Sequence, residues 1–156
     1  MADFLRRRGY RTAEVTLDPN DWAVTDAYAR CSARGDAAAV ERLERGFLER
    51  AADTLARGRR EARSLFGREV AHVLLLHAGA FTAHVLPRLL DLLAREGFDV
   101  VELPEAASDA IYAAVPEQAT PEGLTLLEQV RRVRGRDGGA NDAPRPPLDE
   151  LRALCR

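Results

Sequence analysis

The sequence predicts an α/β fold with parallel strands, and three observations carry that expectation. Residues 70–79, Val-Ala-His-Val-Leu-Leu-Leu-His-Ala-Gly, form a short apolar run bounded by breakers, the pattern of a strand buried on both faces. Upstream, Ala13, Val15 and Leu17 alternate with Glu14 and Thr16 at the period of a half-buried strand. Downstream, a helical pattern and a further apolar run over 98–103 complete a strand, helix and strand unit, expected to be parallel and right-handed.

Bulk properties exclude more than they name. At 156 residues the chain suits a single core. Hydrophobic residues at 46% and charged residues at 31% match soluble globular proteins, which excludes disordered and disulfide-scaffold compositions. All 23 basic residues are arginine, yet the net charge of -2 gives no global pull toward nucleic acid or anionic membrane. The arginine clusters at 6–8, 57–63 and 131–136 read as solvated helix faces rather than a nucleic-acid surface. No stretch approaches the roughly 20 apolar residues that span a bilayer. The first residues lack an apolar export core, so the compartment is open and the chain reads as starting in mid-domain. Cys31 and Cys155 fit no metal or redox spacing and are expected to be free thiols.

Each element has its own local reason. Residues 2–8 suit the end of a helix stopped by Gly9. The alternating strand at 13–17 ends in Asp18-Pro19-Asn20-Asp21, a cluster of turn formers, which leaves Asp21 and Trp22 on a loop. A helix is expected over 24–34, and Asp36 can cap a long one whose apolar face runs Val40, Leu43, Phe47, Ala51, Leu55, Ala62 and Leu65 to a stop at Gly67. Gly46 and Gly58 weaken that helix by about 1 kcal/mol each, enough to allow a bend or a break there. Thr82 can cap a helix to Glu96 with Phe81 and Leu86 as a staple, although Pro87 could shift the start to Val85. Residues 104–112 suit short turns, and Leu124, Leu127 and Val130 a brief amphipathic helix. Residues 134–147 read as a linker, and Leu148, Leu151 and Leu154 as a last docking turn.

Asp21 and His77 carry the chemistry. Both follow the end of an expected parallel strand, where α/β folds gather their ligands on one rim. A carboxylate beside an imidazole orients the ring and stabilises imidazolium, as a general acid requires. Each also has a plainer reading: a helix cap ahead of Val24 for Asp21, and a core strand end for His77. Trp22, the one tryptophan, is by default a packing residue, and its place beside Asp21 is what suggests a pocket wall. His72 and His77 are five apart, so on a strand they face opposite ways and cannot share a metal, whereas His84 could reach the rim.

At these stretches the sequence resembles the polysaccharide deacetylases of the NodB-homology group, carbohydrate esterase family 4. Asp18-Pro19-Asn20-Asp21-Trp22 matches that family's Asp-x-x-Asp-Trp motif, and Leu75-Leu76-His77 its strand-borne Leu-x-His. The likeness runs from about Phe4 to Tyr112. It implies a partial (β/α) barrel of the NodB-homology type with a long helical insertion, followed by a tail over 113–156. It implies His77 as the acid that protonates a leaving amine, Asp21 as the group that tunes it, and Trp22 and Leu75 as walls of an acetyl pocket. It further implies an acetylated polysaccharide or peptidoglycan-type substrate and a divalent, zinc-type metal. The family's paired-aspartate, histidine-pair and Arg-Pro-Pro-Tyr-like motifs should precede Phe4. They are not in this sequence, and Arg145-Pro146-Pro147-Leu148 resembles the last only superficially. The expectation is therefore the acid half of a hydrolytic site without the metal half, with no nucleic-acid partner and with self-association through exposed sheet edges. The alternative is a non-catalytic α/β module that binds a partner.

Overall fold

Helices carry this protein. The computed structural model describes residues 2–10, 13–114, 123–135 and 145–156. Among them run α1 (Ala2–Arg7), α2 (Trp22–Ala33), α3 (Ala37–Phe66), α4 (Ala80–Arg95), α5 (Leu103–Ala106), α6 (Leu126–Val133) and α7 (Leu148–Ala153), with a 3-10 turn over Ala110–Ala114. The expected parallel sheet and α/β barrel are not formed. The chain is mostly helical, and the described residues hold one isolated parallel bridge, Leu17 to Leu74, in place of strands.

The reason lies in where the backbone donors of residues 70–77 go. The N–H groups of residues 71, 73, 75 and 77 all find acceptors, but only Leu75 donates to a backbone carbonyl, that of Leu17 at 2.9 Å. Ala71 N–H is taken by the Asp109 carboxylate, Val73 N–H by the Thr16 hydroxyl and His77 N–H by the Asp21 carboxylate. Side chains thus complete a ladder that the neighbouring backbone does not, and a continuous apolar run cannot reveal that substitution. The third expected strand fails differently. Arg59 grips the carbonyls of Glu96 and Gly97 and lies over the Phe98 ring at 4.1 Å, anchoring the chain there. Beyond that anchor, Val100 is 71% exposed and residues 98–102 pair as a strand with none of the described residues.

The core is where helical periodicity placed it. α2, α3 and α4 pack on one another. Leu43, Phe47, Ala51 and Leu55 of α3 meet Val24, Ala27 and Cys31 of α2 and Phe81, Val85 and Leu89 of α4. Phe81 sits edge-on between Phe47 and Tyr28, with centroids 5.3 and 5.5 Å away, a favoured aromatic geometry. The caps of α3 are those expected: the Asp36 carboxylate accepts from Ala39 N–H at 2.9 Å, and Gly67 ends the helix at φ 72°. A second cluster joins Ala62 and Leu65 of α3 to Ile111 and to Leu126, Leu127 and Val130 of α6. α6 opens on a Thr125 and Glu128 capping box. Most of the expected linker, residues 136–144, lies outside the described residues.

Three local expectations are corrected. Helix α4 starts at Ala80, so Thr82 lies within its first turn rather than capping it. Pro87 sits on the exposed side, where the Ala83 carbonyl that loses its helical donor is open to solvent, and the helix continues through it. Cys31 and Cys155 are not free but joined in a disulfide, with Cα atoms 5.2 Å apart across a sequence separation of 124. The bond holds α7 on α2, where Arg30 also donates to the carbonyls of Leu151 at 2.7 Å and Leu154 at 3.2 Å. Those are orphan carbonyls at a helix C-terminus, the position that suits a cation.

Gly58 serves a close approach, not a bend. α3 runs unbroken past it, and a Cβ there would collide with Leu17 Cδ2. Leu17 is 2% exposed and cannot swing away. Helix propensity alone makes Gly58→Ala stabilising by up to about 1 kcal/mol. We expect the opposite sign, because overpacking costs about 1–3 kcal/mol and the displaced residue carries the one bridge among the described residues. Urea unfolding of the variant checks this.

Candidate functional site

The turn before α2 aims the site. Asn20 adopts a left-handed φ of 58°, and its N–H donates to Asp18 Oδ1 at 2.8 Å. Its side-chain amide donates to the Asp18 carbonyl at 3.2 Å. Asparagine tolerates that conformation because its short polar side chain bonds locally. The chain thereby reverses between the Leu17 bridge and α2 and delivers Asp21 to the N-cap position. Asp21 does not act as a cap: its side chain makes no capping hydrogen bond, and the carboxylate turns inward to become fully buried.

Three donors meet that carboxylate. Oδ1 accepts from His77 Nδ1 at 2.8 Å, and Oδ2 accepts from His77 N–H at 2.8 Å and from the Thr82 hydroxyl at 2.6 Å. An ionised carboxylate only accepts, so Nδ1 must carry a proton. The reactive atom is then Nε2, on the far side of a ring whose side chain is 49% exposed. It presents a lone pair when the ring is neutral and a proton when it is charged.

Burial alone would push the Asp21 carboxyl up. The hydrogen bonds from Thr82 and His77, with the His77 charge, outweigh burial and leave it below the ordinary carboxylate value. Arg68, bonded to both oxygens of Asp109 at 2.9 and 2.5 Å, holds that carboxyl far below the usual range. A depressed carboxyl contributes stability that is complete above the unfolded value of about 3.9 and disappears as pH falls through the folded value. Unfolding free energy should therefore drop as pH falls below about 4. The drop should be shallower in Asp21→Asn, whose side chain does not titrate. Urea titrations across that acidic range measure it.

The other candidates fall in different places. Trp22 is 46% exposed, with its indole N–H donating to Asn20 Oδ1 at 3.2 Å. Leu75 is half-buried on the segment that carries His77. His72 bonds to the Thr16 hydroxyl at 3.2 Å, and burial pushes its pKa down. His84 does not join the site but lies 3.7 Å from Glu44. Among the described residues no group of three or more His, Cys, Asp or Glu side chains could hold a metal. Of the Asp21 and His77 pair, one carboxylate is buried and spent on three donors, so the residues present do not fit the implied metal.

Reasoning from the sequence missed Thr82. Its place between Phe81 and Leu86 fits a stapled helix cap equally well, and only the inward turn of Asp21 brings the hydroxyl to a carboxylate. A cavity of about 460 Å³ opens elsewhere, lined by Ser32, Asp36, Glu41, Glu44 and His84 among others, and neither Asp21 nor His77 reaches it. Comparisons with family models, characterised proteins and solved structures give no match.

Proposed function

We propose that His77 is a general acid, oriented and charged by Asp21, in hydrolysis of an acetyl-amide bond on a carbohydrate. The observation that supports this reading is the two-point hold on His77, through Nδ1 and the backbone N–H, by a fully buried carboxylate. Such a hold fixes both ring orientation and tautomer and leaves Nε2 outward to protonate a departing amine. The motif resemblance at residues 18–22 and 75–77 supplies the substrate class, and Trp22 and Leu75 are its proposed acetyl-pocket walls.

The acid is one part of three. Amide hydrolysis also needs an activated water and a polarised carbonyl, and the described residues offer no metal-holding group for either. General acid catalysis contributes about 10² to 10⁴-fold, short of the ~10⁶-fold or more that enzymes reach. This chain as it stands should release no acetate. The test is acetate release from acetylated chitooligosaccharide or peptidoglycan with Zn²⁺ or Co²⁺, for the chain alone and mixed with the N-terminal half of a polysaccharide deacetylase. Release in the mixture that is lost in His77→Ala supports the reading. Release by the chain alone, or release indifferent to His77, contradicts it.

A further inference from the structure

Among the described residues, the one charged partner of the buried Asp21 anion is itself titratable. When His77 gives up its proton through Nε2, the carboxylate is left in the interior facing a neutral ring. A lone buried carboxylate then binds a proton from solvent more readily. A protonated Asp21 would donate its O–H to Nδ1 and leave the neutral ring with its one proton on Nε2, the wrong tautomer. Something must keep the carboxylate ionised in both states of the imidazole.

We propose that Thr82 is that positioning residue: its hydroxyl, fixed in the first turn of α4, holds Asp21 ionised whichever charge His77 carries. The geometry assigns it specifically. The Thr82 side chain is buried, its hydroxyl lies 2.6 Å from Oδ2, and it shares that oxygen with the His77 N–H, so Oδ2 is solvated by two uncharged donors independent of pH. Oδ1 is left to the ring alone. No arginine among the described residues reaches the carboxylate, and of the charged and titratable groups on the elements around it, His77 is the one that acts on it. Phe81, fully buried between Phe47 and Tyr28, fixes the turn that bears Thr82, so the hydroxyl is aimed by the core and not by a mobile loop. Neutral donors suit the task because a permanent cation there would compete with the imidazolium for the same carboxylate.

This role rests on the reading of Asp21 and His77 as an acid pair, but its test does not depend on turnover. In the full chain labelled with carbon-13, the Asp21 carboxyl resonance is followed through acid titration in wild type, Thr82→Val and Thr82→Ser. Valine keeps the shape and removes the donor, and serine keeps the donor. A lost hydrogen bond to a charged group should raise the Asp21 midpoint by about one unit or more, tenfold in proton affinity, in the valine variant. Serine should return it close to wild type. An unchanged midpoint in Thr82→Val, or an equal shift in Thr82→Ser, overturns the proposal. Should the valine variant not fold, the wild-type Thr82 hydroxyl proton decides: slow exchange with a cross-peak to the Asp21 methylene supports the assignment, and a freely exchanging hydroxyl refutes it. Thr82 behaving as stated in a chain that never supports acetate release would remove the deacetylase reading alone.

Discussion

Cys155→Ser is expected to lower the unfolding free energy by about 2–5 kcal/mol. The bond closes a loop of 124 residues, for which chain entropy alone predicts a loss of about 5 kcal/mol. Cys155 is the better partner to change because it is only partly buried, whereas serine at the fully buried Cys31 would add an unsatisfied hydroxyl. The loss should be largest where α7 meets α2. Without the covalent tie, that contact keeps the Arg30 bonds to the carbonyls of Leu151 and Leu154 and the burial of Leu151. Guanidinium unfolding under oxidising conditions, beside wild type treated with dithiothreitol, measures the effect. Reduced wild type should unfold at nearly the denaturant concentration of the variant, and a variant as stable as oxidised wild type would show that the bond does not form.

Phe47→Ala should cost about 3–5 kcal/mol, the range for truncating a fully buried aromatic. Phe47 is central because α2, α3 and α4 all meet around it, and its ring supports Phe81 edge-on. The cavity would open directly beneath the turn that carries Thr82. The variant should therefore loosen the Thr82 and Asp21 contact as well as lose stability, seen as faster hydroxyl exchange in the folded protein. Conversely, Val100→Ala, at a residue 71% exposed, should change stability by less than about 0.5 kcal/mol.

What the sequence shows well is what helices encode locally. The α3 face from Leu43 to Leu65, its Asp36 cap and its Gly67 stop were all legible, because period, cap and breaker lie within a few residues of one another. The extended segments are not legible for the opposite reason. An apolar run such as 70–77 states that a segment is extended or buried, but whether its donors meet backbone or side chains depends on Thr16, Asp21 and Asp109, remote in sequence. The disulfide is invisible to spacing rules on the same ground. Asp21 and His77 are legible because each marks the end of an extended segment, Asp21 after the turn formers Pro19 and Asn20 and His77 just before the break at Gly79, and the structure does bring them together at 2.8 Å. Thr82, which completes their arrangement, offered the sequence a capping motif in its place.

The measurement closest to the central claim is the tautomer of His77. Long-range proton to nitrogen correlation in the neutral ring separates Nδ1–H from Nε2–H directly. If a buried Asp21 carboxylate holds the ring, wild type carries its proton on Nδ1 and a bare lone pair on Nε2. In Asp21→Asn the side-chain amide can turn its N–H toward Nδ1, and the proton should move to Nε2. A wild-type ring with its proton on Nε2, or a tautomer unaltered by Asp21→Asn, would contradict the account.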